Sequence, residues 1–108
     1  MPLGISDDIL ARLEAVFARY EQVRRVVVFG SRARGDYKYN SDIDIAIFAD
    51  NDLSASIYAD IDEAVGIYKV DIVEMAIVQN EKLIKKINSE GVEIYFARGA
   101  VTASPTAP

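Results

Sequence analysis

The chain has 108 residues, is 51% hydrophobic and carries a net charge of −5. This length predicts one domain, placed at residues 1–100, and the acidic charge argues against broad direct binding to nucleic acid, which depends on many Lys and Arg contacts with phosphates. Cysteine and histidine are absent from the sequence, which excludes disulfides, thiolate or imidazole metal sites and Ser-His catalysis and leaves carboxylates, hydroxyls and basic groups as candidate reactants.

The N-terminal part predicts a helix, a buried strand and a short turn. Ser6 is a suitable helix N-cap, and the apolar residues that follow it recur on one helical face. Val26 to Phe29 is a continuous β-branched and aromatic run, which is typical of a buried strand. Gly30 ends that strand, and we expect a short helix or turn over about residues 31–35, followed by a polar loop.

The rest of the chain continues the alternation of strands and helices. Further strands are predicted at about residues 43–48, 69–75 and 92–96. The helices between them are marked by Leu53, Ile57, Ile61 and Val65 before Gly66, and by Asn80, Leu83, Ile84 and Ile87 before Gly91. Because the first two strands are joined by a connection too short for a full helical crossover, we expect an α/β fold with a mixed sheet packed against helices.

Two features outside these elements bear on location and order. No apolar run approaches the length of a membrane span, and the N-terminus lacks a signal-peptide pattern, which fits a cytoplasmic protein without a membrane partner. Residues 101–108 consist of Val, Ala, Thr, Ser and Pro with little to bury, so we expect a disordered tail.

The turn after the first strand is a candidate phosphate site. Gly30 allows the backbone to approach a ligand closely, and Ser31 adds a hydroxyl donor. Arg32 and Arg34 could bind the oxygens of a triphosphate, since arginine suits forked phosphate contacts. The alternative for these arginines is a surface ion pair with Asp36 or another neighbour.

Three aspartates form a candidate metal site. Alternation along a strand places Asp42 and Asp44 on one face, about 7 Å apart at the backbone. Magnesium is usually held by one or two carboxylates together with substrate phosphates and water. Asp71 lies in an apolar strand, where a carboxylate needs a partner, and a metal shared with the other two would provide one. The alternative is that Asp71 occupies an exposed strand start.

The Gly-Ser pair, the ten-residue gap and the Asp-x-Asp pair together resemble the minimal nucleotidyltransferases of the polymerase-β-like superfamily. Gly30, Ser31, Asp42, Asp44 and Asp71 match every position of that family's signature, and the resemblance covers about residues 6–99. It implies ATP as substrate and Mg²⁺ as cofactor. It also implies that Asp42 and Asp44 bind the metal, while Asp71 completes the metal site and helps to activate the acceptor hydroxyl.

The resemblance further implies a partner. Many small members are antitoxins of HEPN–MNT toxin–antitoxin pairs, in which the transferase adenylylates a tyrosine of the HEPN toxin. Two alternatives stay open. One is an antitoxin that neutralises its partner by binding alone, and the other is a small-molecule nucleotidyltransferase that borrows its acceptor site from another subunit of a homodimer or hetero-oligomer.

Overall fold

A computed structural model describes residues 2–97 of the chain, so the predicted tail at residues 101–108 lies outside the described part. Four strands form one sheet in the order β3-β2-β1-β4. They are β1 (Val23–Phe29), β2 (Ile43–Ala49), β3 (Val70–Glu74) and β4 (Val92–Phe96). β1 pairs antiparallel with β2 and with β4, whereas β2 and β3 are parallel. The predicted mixed sheet is therefore confirmed.

The helices begin and end near the predicted residues. They are α1 (Asp7–Ala18), α2 (Ser31–Arg34), α3 (Ala55–Val65) and α4 (Glu81–Glu90), with a 3₁₀ turn at Pro2–Gly4 before them. Ser6 caps α1, since its hydroxyl oxygen accepts the N–H of Ile9 at 3.1 Å. Asn80 caps α4 in the same way by accepting the N–H of Leu83 at 3.1 Å. Both caps satisfy backbone donors that the first helical turn leaves free.

The helices divide between the two faces of the sheet. The larger core lies between the sheet and helices α1 and α3; its central members are Leu13, Phe17, Val26, Val28, Ile43, Ile45, Ile47, Ile57 and Ile61. The smaller core, on the opposite face, joins α4 to the sheet through Val27, Phe29, Ala46 and Ile87. The polar residue Asp44 shares the α4 side with Ala46, because the two are separated by two positions along β2.

Two element boundaries differ from the sequence prediction. β1 begins at Val23, three residues earlier than expected, because Arg24 and Arg25 form ion pairs with Asp50 and Glu93 and so remain compatible with a strand. α3 begins at Ala55, leaving Leu53 ahead of the helix. Within residues 2–97, no helix is both long enough and apolar enough to cross a membrane.

Candidate active site

Gly30, Asp44 and Asp71, three of the predicted site residues, lie at one end of the sheet, where β1 ends and β2 begins. Asp44 stands opposite Phe29, the last residue of β1, in the antiparallel pair. It also stands opposite Asp71 in the parallel pair. Neighbouring strands lie about 4.8 Å apart, and residues paired in register point to the same face. The sheet thus brings two of the three predicted carboxylates side by side.

Burial and the neighbouring Asp71 both oppose ionisation of the Asp44 carboxyl group. Burial raises the pKa of Asp44 above its ordinary value, the negative charge and hydrogen bonding of Asp71 raise it further, and Asp42 adds to the effect. The positive charge of Lys86, on α4, acts in the opposite direction. A carboxylate held near other carboxylates in this way is stabilised by a bound cation, so the chemistry of the donors fits a divalent metal ion.

Asp42 lies immediately before β2 and is exposed. It is near enough to Asp44 to affect its pKa. Even so, the described part of the chain contains no group of three or more acidic, His or Cys side chains arranged to hold a metal ion. The structure therefore assembles the Asp44–Asp71 pair, and a ligand set that includes Asp42 stays a prediction.

Gly30 contacts this acidic pair through its backbone. It has φ +77° and ψ −154°, a conformation that favours glycine. A Cβ atom at this position would overlap Oδ2 of Asp44 and lie 3.2 Å from its Cγ. Ser31, the next residue, begins the single-turn helix α2 and is only partly buried. The predicted turn is therefore in direct contact with Asp44, the second residue of the predicted Asp-x-Asp pair.

Arg32 differs from the prediction that it binds nucleotide. Its side chain is 2% exposed. All five N–H groups of its guanidinium donate to backbone carbonyls, which belong to Leu3, Gly4, Tyr39 and Ser41. Its Cζ also lies 5.3 Å from the ring centre of Tyr37 and 5.1 Å from that of Tyr68. Arg32 is thus a buried clamp between loops, with no donor left for a phosphate.

Arg34 is exposed at the same turn. It forms an ion pair with Asp36 at 3.3 Å, as the surface alternative expected, and a second one with Glu90 at 3.2 Å. Exposed pairs of this kind are weak and easily rearranged, so Arg34 remains available to an anionic ligand. Its predicted contact with nucleotide stays a prediction.

Sequence reasoning missed two residues of α4 that reach the site. Glu90 accepts the backbone N–H of Gly30 at 2.8 Å. Lys86, four residues earlier, acts on the pKa of Asp44. The available signal was helical spacing: residues four apart share a face, and both flank Ile87, which the pattern places against the sheet.

Comparisons with known proteins show the family of this chain and its fold. The family model described as polymerase beta, nucleotidyltransferase matches residues 11–98. A relative from Methanocaldococcus jannaschii, provisionally named a protein adenylyltransferase, is 40% identical over 78 residues, which is 70% of this chain and 75% of the relative.

Solved structures share the fold. A chain from the crystal structure of a toxin–antitoxin with AMP-PNP superposes with a TM-score of 0.67 at 20% identity, over 88% of this chain and 77% of that one. A chain from the complex of tri-AMPylated Shewanella oneidensis HEPN toxin with MNT antitoxin gives a TM-score of 0.61 at 15% identity, over 87% and 75% of the two chains. At these identities the similarity concerns the fold.

Proposed function

This chain belongs to the polymerase beta nucleotidyltransferase family, and from that premise we propose that it transfers AMP from ATP to a hydroxyl of a protein partner. The observation that carries the proposal is the contact between the Gly30 turn and Asp44, which is itself in register with Asp71. This arrangement sets a glycine turn against an acidic pair that favours a cation. Those are the two requirements of a site that handles a nucleoside triphosphate.

The residues divide the reaction between them. Gly30 and Ser31 border the space for the β- and γ-phosphates, and Arg34 supplies a cation at its rim. The acceptor oxygen attacks the α-phosphorus, the bond to the β-phosphate oxygen breaks, and pyrophosphate leaves. Asp71, which is exposed, would accept the proton of the incoming hydroxyl.

Magnesium is part of this proposal. Asp44 and Asp71 would hold it, with Asp42 as a further ligand, and the donor chemistry of the pair fits the ion. When bound, Mg²⁺ would neutralise charge on the phosphates and on the leaving pyrophosphate. The protein residues position the reactants around it.

The acceptor we propose is a tyrosine of a HEPN-type toxin, which would make this protein an antitoxin. Support comes from the relative named as a protein adenylyltransferase, at 40% identity, and from structural neighbours that occur in toxin–antitoxin complexes, one with AMP-PNP and one with an AMPylated HEPN toxin. A tyrosine hydroxyl requires no acceptor pocket of its own in the transferase, because the partner protein can present it.

The test is to search the neighbouring reading frames for a HEPN-type protein, and to incubate any such protein and the purified chain with ATP and Mg²⁺ before mass spectrometry of both proteins. We expect AMP on a tyrosine of the partner, and none when EDTA replaces Mg²⁺. ATP with Mg²⁺ should also stabilise the transferase by about 2.7 kcal/mol at a hundredfold excess over Kd. Full neutralisation of the partner by a D42A/D44A/D71A variant would instead support an antitoxin that acts by binding alone.

A further inference from the structure

Glu90, the last residue of α4, bonds to two residues of the turn at residues 30–35, here called the Gly30 turn. Oε1 of Glu90 accepts the backbone N–H of Gly30 at 2.8 Å. The same oxygen accepts a hydrogen bond from Nη1 of Arg34 at 3.2 Å. The Glu90 side chain is 20% exposed and that of Arg34 is 40% exposed, so the contact between them remains accessible to solvent. One carboxylate oxygen of Glu90 therefore binds both Gly30, at the start of the turn, and the guanidinium of Arg34, near its end.

Glu90 is held in place by its own helix. Ile87, one turn earlier, is buried against Val27 and Phe29 of β1. The N–H of Gly91 donates to the carbonyl of Ile87 at 2.9 Å, and a Cβ at Gly91 would lie 3.1 Å from a methyl group of Val27. The end of α4 is thus packed directly on β1, which fixes the point from which Glu90 reaches the turn.

The turn depends on this contact for its hydrogen bonding. Gly30 is buried, and a buried N–H without a partner costs about 1–3 kcal/mol. The N–H of Gly30 donates to Glu90, on α4. Glu90 is its partner among the described residues. The charge of Glu90 is offset by Arg34, so the carboxylate adds little net repulsion towards a phosphate.

We propose that Glu90 is a positioning residue that holds the Gly30 turn and orients Arg34 for the triphosphate. The part of the proposal that concerns ATP rests on the proposed function, whereas the part that concerns the order of the turn does not. Within residues 2–97, the hydrogen bonds of Glu90 go to Gly30 and Arg34 and not to Asp44 or Asp71. Glu90 acts through Gly30 and Arg34, and its loss should affect ATP binding more than the chemical step.

The first measurement is hydrogen exchange of the amides of Arg34 and Gly35, which donate to the carbonyls of Gly30 and Ser31 at 3.0 and 2.9 Å. In E90A we expect these two amides to exchange about tenfold faster, since a charge-assisted hydrogen bond is lost. The amides between β1 and β2 should keep their rates. E90Q should restore most of the protection, because its amide oxygen can accept both donors. K85A, at an exposed position of the same helix, is the matched control.

The second measurement is the kinetics of AMP transfer by the same variants. We expect E90A to raise KM for ATP about tenfold with kcat within about threefold of wild type, and E90Q to lie near wild type. Unchanged exchange at Arg34 and Gly35 in E90A would overturn the proposal, as would tighter ATP binding, which would make Glu90 a competitor of the phosphates. If the wild-type chain transfers no AMP, the proposed function fails, but the exchange measurement still decides the role of Glu90.

Discussion

The carboxylate of Asp44 occupies the space where a side chain on Gly30 would stand, since a Cβ at Gly30 would overlap its Oδ2. We therefore expect G30A to displace Asp44 from its position beside Asp71. A misplacement of about 1 Å at a reacting centre can lower a rate about a hundredfold, and we expect at least that loss of AMP transfer. Because the φ at this position is positive, alanine there would also be strained. We expect the free energy of unfolding of G30A to fall by about 1–3 kcal/mol for this reason, as measured by urea denaturation.

Gly35 provides the control for this prediction. It also has a positive φ, of +94°, but a Cβ there would meet nothing within 4 Å. G35A should therefore cost about 1 kcal/mol from backbone strain and leave AMP transfer nearly unchanged. Equal loss of activity in the two variants would show that the overlap with Asp44 is not the cause.

Charge removal at the acidic pair should separate stability from activity. Since Asp71 and Asp42 both oppose ionisation of Asp44, D44N and D71N should be as stable as wild type or more stable in EDTA near neutral pH. The gain should stay below about 1 kcal/mol, because the pair is partly exposed to solvent. AMP transfer should be lost in both variants. Destabilisation of D44N by several kcal/mol would contradict the repulsion between these groups.

The raised pKa of Asp44, caused first by burial and then by the neighbouring aspartates, predicts a pH dependence with a defined sign. The pKa of Asp44 is raised on folding, so the folded protein binds more protons than the unfolded chain between the ordinary carboxylate pKa and the raised one. Stability should therefore fall as pH increases through this window, and this contribution should be absent from D44N. Urea denaturation in EDTA across the acidic range would measure the difference between the two proteins.

Local patterns in the sequence predicted the frame of the site. Alternation along β2 separated Asp44 and Ala46 from Ile43 and Ile45, and the structure places these two sets on opposite faces of the sheet. The short connection after Gly30 predicted a mixed sheet, which is confirmed: β1 and β2 are antiparallel, whereas β2 and β3 are parallel. These features depend on residues close in sequence, and alternation and loop length are enough to predict them.

The arginine and glutamate contacts could not be predicted in this way. Arg32 is buried because three separate segments present carbonyls and aromatic rings to it, from Leu3 to Tyr68. Glu90 lies 60 residues from Gly30, its hydrogen-bond partner. No helix or strand periodicity in the sequence connects Arg32 or Glu90 with these partners. From its place beside the Gly30 turn, Arg32 was therefore predicted to bind phosphate. In the structure its side chain holds the loops together instead.

Arg32 and Arg34 should respond differently to substitution. R32A leaves four backbone carbonyls without their donor, empties the space of a buried side chain and should destabilise the fold by about 3 kcal/mol. R34A removes two exposed ion pairs and should cost less than about 1 kcal/mol. For ATP binding we expect the larger effect from R34A, which should raise KM for ATP about tenfold because it loses the phosphate contact. A stable R32A with weakened ATP binding would restore the original assignment of Arg32.

Tyr58 links α3 to the end of β3 and predicts an alkaline transition. Its hydroxyl donates to Glu74, whose other carboxylate oxygen accepts the N–H of Leu53 at 3.4 Å. Burial, followed by the hydrogen bond to Glu74, raises the pKa of Tyr58 to about 12. Its ordinary value is about 10, so the contact stabilises the fold fully below that pH, and the stabilisation disappears as pH rises towards the folded value.

The Y58F variant isolates this contribution, because it removes the hydroxyl and keeps the ring. Near neutral pH it should be less stable than wild type by up to about 1 kcal/mol, the usual net contribution of one hydrogen bond. The difference should shrink to nothing as the Tyr58 hydroxyl ionises, and Y39F, at a side chain 86% exposed, should show no such convergence. Guanidinium denaturation of the three proteins over the alkaline range would measure it. A constant gap between wild type and Y58F would mean that the donor to Glu74 is not the source of the stabilisation.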